Sequence, residues 1–217
     1  ANPCGGVPPR AEIDRLVAGL AEHPQVAVLS DEIYDQLLYD GEQHVTLLDY
    51  PEIRDRLIVL NGWSKTYAMT GWRLGFAVWP DAAVDHVTRL CINDHSCVNA
   101  AAQYAGLAAL TGPQDAVRDM VAEFDSRRAV IVAALNDLPG VRCSDPGGAF
   151  YAFPNIEGTG MSAMEAQNRF LDEAGVATVA GNYFDELRLR PSFSEEVIEA
   201  MRARRGLDDP LPVRYAT

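Results

Sequence analysis

Three short apolar runs limit what this chain can fold into: Val26-Ala27-Val28-Leu29, Leu57-Ile58-Val59-Leu60 and Leu74-Gly75-Phe76-Ala77-Val78-Trp79. None is interrupted by a polar residue, so no side of them is marked for water. Runs of this kind read as strands of an α/β layer with both sheet faces covered. The segments between them supply helices for that cover. Pro8-Pro9 opens a pattern with Ile13, Leu16, Val17 and Leu20 on one face, the 3.6-residue period of a helix. Residues 81–110 are alanine-rich and helical. A break at Thr111-Gly112-Pro113 then leads into a long helix with Val117, Met120, Val121, Phe124, Ile131, Leu135 and Leu138 on one face, ended by Pro139-Gly140.

The remainder mixes short strands and helices. Val141-Arg142-Cys143, the stretch from Gly148 to Phe153, and Val176 to Val179 read as strands. Between the last two, Ser162 with Glu165 three positions on forms a capping box, and Gly175 closes the helix. A final helix is expected from Ser194 to Gly206, acidic at its start and basic at its end, as the helix dipole favours. The long helix is of a length to link two domains, which puts the domains at 1–112 and 113–217. Asp40-Gly41 is a turn signal inside an otherwise irregular segment that reaches Pro51.

The chain of 217 residues carries 18 basic and 31 acidic side chains, a net charge of -13. That balance argues against nucleic acid or an anionic membrane as a partner, since either demands a basic face. A few local arginines are still enough to hold an anionic cofactor. The cysteines at 4, 91, 97 and 143 have no paired spacing, which disfavours a metal or disulfide framework and fits reduced thiols in the cytoplasm. No apolar run approaches the roughly 18 residues of a membrane span.

Chemistry gathers at the ends of the first two runs, where ligands collect in open α/β sheets. The first delivers Asp31 and Tyr34. The second delivers Asn61-Gly62-Trp63-Ser64-Lys65, and Arg73 follows eight residues after the lysine. A lysine amine partly shielded from water can lose its proton and attack a carbonyl. An arginine across a glycine-lined loop can take a phosphate with both arms of its fork. Together they suit an aldehyde that carries a phosphate, for which pyridoxal 5'-phosphate is the evident candidate. Such a cofactor also wants an acid at its ring nitrogen and a hydrogen-bond donor at its ring oxygen. Asp31 and Tyr34 are of the right type for both. None of the four histidines has a ligand or triad spacing.

Asp31-Glu32-Ile33-Tyr34, Ser64-Lys65 and Gly71-Trp72-Arg73-Leu74-Gly75 resemble the D-x-x-Y, S-K and G-x-R-x-G elements of class I/II aminotransferases of fold type I. Asn2-Pro3-Cys4-Gly5-Gly6 is similar to the second half of that family's N-P-x-N-P-T-G loop, with cysteine in place of threonine. The resemblance implies a mixed, mostly parallel sheet with helices on both faces, followed by a smaller α+β domain. It implies that Lys65 is the Schiff-base lysine and later carries the substrate proton. Asp31 would pair with the ring nitrogen, Tyr34 and Asn2 with the ring oxygen, and Arg73, with Ser64 helping, would hold the phosphate. A serine three before the lysine, found in some relatives, is Gly62 here. The stretch Arg188-Leu189-Arg190-Pro191-Ser192-Phe193-Ser194-Glu195-Glu196 resembles the family's R-L-S-F-A-x-S-E-E and points to Arg188 for the substrate carboxylate, with Arg190 as the alternative register. Gly147-Gly148-Ala149-Phe150-Tyr151 resembles a family strand near the substrate, although the residues themselves describe only an aromatic strand. Trp63 and Trp72 read as packing residues.

Only the second half of such a protein is represented. The resemblance therefore implies transamination between an α-amino acid and a 2-oxo acid, by a homodimer or with a complementing N-terminal half. A sheet short of strands exposes edges and apolar faces, so a covering segment or tight association is expected. The rival readings are another reaction of the same cofactor, such as a carbon–sulfur lyase or a synthase, a ligand-sensing module of aminotransferase-like fold, and a non-catalytic fragment.

Overall fold

A computed structural model describes residues 1–182. Helix α1 (Arg10–Ala21) precedes β1 (Val28–Asp31), and β2 (Leu57–Gly62) and β3 (Gly75–Val78) follow. The sheet order is β1-β2-β3. β1 runs parallel to β2, with Val28 beside Leu57 and Asp31 beside Leu60. β3 returns antiparallel, with Val59 beside Val78 and Gly62 beside Gly75. The sheet is therefore mixed, as the first domain's resemblance implies.

Side chains alternate across the sheet, and the two faces differ. Leu57 and Val59 enter a core with Val17 of α1, Leu47, Tyr50 and Ile53, flanked by Val28 and Val78. Two 3₁₀ turns, Leu47–Asp49 and Pro51–Arg56, bring Leu47, Tyr50 and Ile53 under the sheet. Tyr50 donates its hydroxyl to Asp14 at 2.6 Å, and the Arg56 fork reaches the Leu20 carbonyl at 2.8 Å, so α1 is fixed at both ends. On the other face Leu29 is 55% exposed. Among the described residues the first face is closely packed and the second is covered only in part. Unbroken apolar composition reports that a strand is to be buried, but not which segment buries it.

Residues 81–110 form two helices where one was expected, α2 (Asp81–His95) and α3 (Ala100–Thr111). Ser96 takes φ 62, which no helix accommodates, and the Asn99 side chain then accepts from the Ala102 amide to start α3. Helix α4 (Asp115–Asn136) follows. The described residues divide within it into two compact units, one comprising 1–133 with 145–152 and the other 134–144 with the residues from 153 to 182.

In the first unit, Arg128 of α4 grips Asp40 with both fork nitrogens at 2.6 and 2.9 Å. It also donates to the Pro146 carbonyl at 2.9 Å and lies 4.7 Å from the Tyr39 ring centroid. Asp40 and Gly41 both take positive φ, the turn their sequence announces. The segment 145–152 is held to this turn by backbone bonds: Tyr39 to Gly147 at 2.9 Å and Ala149 to Leu37 at 2.8 Å.

In the second unit, Asn136 closes a ring with both backbone groups of Cys143, and Arg142 pairs with Asn155. Helix α5 (Ala163–Ala174) starts where Ser162 accepts the Glu165 amide at 3.2 Å and stops at Gly175, φ 65, as its sequence predicts. The strands expected at 141–143, 148–153 and 176–179 are not formed among the described residues. Arg142 and Gly148 each make a single bridge, to Asn155 and Leu38. A strand exists only where a neighbour takes its amides and carbonyls in series, and apolar composition alone supplies no such neighbour. The helix expected from Ser194 lies outside the described residues.

Candidate active site

Parallel pairing of β1 and β2 puts their carboxyl ends side by side. Asp31 closes β1 on the open face, exposed, with its Oδ1 accepting from the Ile33 amide at 3.3 Å. That local bond turns the chain and sends Tyr34 back toward the end of the sheet. Beyond β2, the loop 63–74 is drawn shut by the Trp63 amide on the Leu74 carbonyl at 3.3 Å. Inside it the Trp63 carbonyl accepts from both Tyr67 and Met69, and Ala68 donates to Lys65. Gly62 is required here, because a Cβ would stand 2.9 Å from Gly75 Cα and from the Leu74 carbonyl. Trp63, read from sequence as packing, also donates its indole nitrogen to the Gly106 carbonyl at 3.0 Å, which fastens the loop to α3.

Lys65 and Tyr34, 31 positions apart by their numbers, are brought together. The lysine Nζ lies 6.0 Å from the Tyr34 ring centroid and 5.4 Å from that of Phe150, the range of a cation–π contact. Tyr34 meets Phe150 edge-on at 5.3 Å and Tyr151 at 5.6 Å. Phe150 in turn stacks on Phe124 of α4 at 5.5 Å. The hydroxyls of Tyr34 and Tyr151 share a hydrogen bond. Burial, followed by that bond and the nearby Tyr151 and Asp31 charges, pushes the Tyr34 phenol well above its ordinary range. Among the described residues Lys65 makes no ion pair, so its amine is uncommitted.

Arg73 sits at the other end of the loop with φ 54, a left-handed residue that ends a 3₁₀ turn. One guanidinium nitrogen donates to the Thr70 carbonyl at 2.9 Å, and the side chain is exposed. It lines a cleft of about 1040 Å³ together with Gly71, Trp72, His95, Cys97 and Asn99. Asp31, Tyr34 and Lys65 do not line that cleft. Ser64 is half-buried beside Lys65. Asn2 lies in an exposed turn, joined to Pro3 by a cis bond, and the turn is tied to the aromatic segment by the Gly148 amide on the Gly5 carbonyl at 3.0 Å. Arg188 and Arg190 lie outside the described residues. Phe150, which faces the lysine, and Tyr151, which bonds to Tyr34, are the residues whose contacts the sequence alone did not single out. Their one signal is an aromatic pair directly after Gly147-Gly148-Ala149.

The same arrangement of sheet and helices occurs in solved structures. The chain is similar to the aromatic aminotransferase from Pyrococcus horikoshii OT3, with a TM-score of 0.80 and 35% identity over 85% of this chain and 49% of that one. It is similar as well to the aspartate aminotransferase from Rhizobium meliloti, TM-score 0.80, 32% identity, over 94% and 55%. The fold is thus part of the large domain of a pyridoxal-phosphate transferase of fold type I. The sequence pattern of aminotransferase class I and II matches residues 1–204, and the chain belongs to that family, whose members use pyridoxal phosphate. An aspartate aminotransferase of Pyrococcus horikoshii is 36% identical over 208 residues, 92% of this chain and 52% of that protein. The chain spans about half the length of the curated relatives it matches.

Proposed function

We propose that this chain carries the cofactor lysine of a pyridoxal-phosphate-dependent aminotransferase that moves an amino group between an α-amino acid and a 2-oxo acid. The observation that carries the proposal is the Lys65 amine, in no ion pair among the described residues, beside the Tyr34 ring at the carboxyl end of a parallel strand pair. The donor set fits the group. It offers an amine for an aldehyde, an exposed carboxylate at Asp31 for a ring nitrogen, a phenol for a ring oxygen, and at Arg73 an exposed guanidinium for a phosphate, one of whose nitrogens also donates to the Thr70 carbonyl. When bound, pyridoxal phosphate supplies a sink for the electron pair left at the substrate's α-carbon.

The protein's own residues do the rest. Lys65 would hold the cofactor's aldehyde carbon through its amine and, once free of it, would carry the proton to and from the substrate's α-carbon. Asp31 keeps the ring nitrogen protonated, and Tyr34 with Asn2 donates to the ring oxygen. Arg73, with Ser64, holds the phosphate, and Arg188 holds the substrate carboxylate. The working unit is a homodimer, or this segment with a complementing N-terminal half, in the cytoplasm.

The test is the near-visible absorbance of the purified protein with pyridoxal phosphate, with Lys65→Ala as control. A band that needs Lys65 and decays when an amino acid is added, with 2-oxo acid appearing, is the expected result. Release of ammonia instead of transfer to a 2-oxo acid would favour the lyase alternative. A band that persists in Lys65→Ala would remove the assignment of that residue.

A further inference from the structure

The Tyr34 phenol faces Asp31, the Lys65 amine and Tyr151, and the last of these lies outside the functional reading above. The geometry points to Tyr151 as a positioning residue that orients the Tyr34 hydroxyl toward the cofactor's ring oxygen. This inference builds on the cofactor reading and assigns a role to a side chain outside it. The hydroxyls of Tyr34 and Tyr151 are bonded to each other across 117 positions of sequence. A phenol has a single proton to donate. In a pair of bonded phenols, one donates and the other accepts. If Tyr34 spends its proton on Tyr151, none is left for a ligand. When Tyr151 donates instead, the Tyr34 proton is free to point outward, and the bond received at its oxygen makes it a stronger donor.

The structure holds Tyr151 well enough for that duty. Phe150 and Tyr151 rings meet at 5.0 Å, and Phe150 is anchored on Phe124 of α4. Ala149, immediately before them, is 1% exposed and adopts φ 60, a conformation that a residue with a Cβ takes only when its surroundings impose it. Those surroundings are the Ala149 amide on the Leu37 carbonyl at 2.8 Å and the Tyr39 hydroxyl donating to the Ala149 carbonyl. Leu37 and Tyr39 lie on the segment that begins with Tyr34, so one short stretch of chain sets both members of the pair. The other charged groups facing Tyr34 are Asp31 and the Lys65 amine.

The experiment is a pH titration of the cofactor's visible band in the loaded protein, for the wild type, Tyr151→Phe, Tyr34→Phe and the double variant. A donor at the ring oxygen draws negative charge away from the Lys65–cofactor link and lets its proton leave at lower pH. Tyr151→Phe keeps the ring and removes only the hydroxyl, so the midpoint is expected to rise by about half to one pH unit, roughly a three- to tenfold change in proton affinity. In the Tyr34→Phe background the same change is expected to move nothing. A midpoint that ignores Tyr151, or moves equally in both backgrounds, overturns the inference alone. Absence of any Lys65-dependent band in the wild type overturns the cofactor reading and this inference with it. A second readout needs no cofactor: NMR titration of ring-labelled tyrosine is expected to show the Tyr34 midpoint displaced in Tyr151→Phe, because the bond shared by the two hydroxyls is gone. An unchanged Tyr34 titration overturns the pairing.

Discussion

Glu32 is 6% exposed and its carboxylate is fully employed: Ser30 donates at 3.0 Å, the Leu47 amide at 3.0 Å, and His44 shares a bond of 2.9 Å. Asp31, one residue earlier, is exposed and accepts a single local amide. Alternation along β1 puts them on opposite faces. Glu32 goes to the packed face, where a buried charge is tolerated only if its lone pairs are met. Asp31 goes to the open face, where unmet lone pairs remain for a ligand. Read from sequence alone, the two are an acidic pair at a strand end. Their neighbours make one a structural brace and leave the other exposed, as the proposed cofactor site requires.

The largest expected effect separates these faces most sharply. Lys65→Ala is expected to lower amino transfer by about 10³-fold or more, since both attachment and proton carriage are lost. Thermal unfolding should stay within a degree or two of wild type, because the lysine touches none of the packed face. A large loss of stability in Lys65→Ala would show that the open side also carries the fold.

The converse substitution acts on the packed face. Ile53 is 0% exposed, and Ile53→Ala is expected to cost about 2–5 kcal/mol by denaturant unfolding. Leu29→Ala, on the open face at 55% exposure, is expected to change the same measurement by less than about 0.5 kcal/mol in the chain as described. If Leu29→Ala proves as damaging as Ile53→Ala, the open face is covered in solution, by another copy or by a further segment. Sedimentation would then distinguish these two.

Between those extremes lies Arg73→Ala. Loss of one charged hydrogen-bonding partner for a phosphate is worth about 1.5–3 kcal/mol, so cofactor affinity is expected to fall about tenfold to hundredfold in an absorbance titration. Equal affinity would place the phosphate away from the 1040 Å³ cleft that Arg73 lines.

These contrasts also mark what was legible in the chain. The meeting of Lys65 and Tyr34 was legible in outline because both lie within five residues of the end of an apolar run, and strand ends are where the fold collects polar groups. The helix at 163–174 was legible because Ser162, Glu165 and Gly175 are local signals acting within a few residues. The break at Ser96 was not, since it depends on one residue's φ within an alanine-rich stretch. Nor was the meeting of Tyr151 with Tyr34, which is made by the backbone register of Leu37 and Ala149 and by Arg128 gripping Asp40. Long-range pairing of this kind leaves no periodic trace. The unequal packing of the two sheet faces leaves no trace in the sequence for the same reason: composition states that strands are apolar, and only contacts state what lies on them.

The smallest effect expected is on the pH dependence of stability, and it isolates Glu32 from Asp31. Burial pushes the Glu32 carboxyl up, but bonds from His44, Thr46 and the Leu47 amide together outweigh it and hold the group below its ordinary value of 4.5. The bond to Glu32 raises His44 above its ordinary 6.5, against the opposing effect of burial. A depressed carboxyl contributes stability above its unfolded value and loses it as pH falls through the folded one. A raised imidazole contributes below its unfolded value and loses it as pH rises through the folded one. The pair's full contribution therefore falls between about pH 4.5 and 6.5, and stability should decline on either side. His44→Gln can still bond to Glu32 but has no charge to lose, so the decline above pH 6.5 is expected to flatten in urea unfolding series taken at successive pH values. Asp31→Asn should leave the whole profile unchanged, since no group on the packed face meets it. A profile that follows Asp31 instead would reverse the assignment of brace and binding group between these adjacent acids.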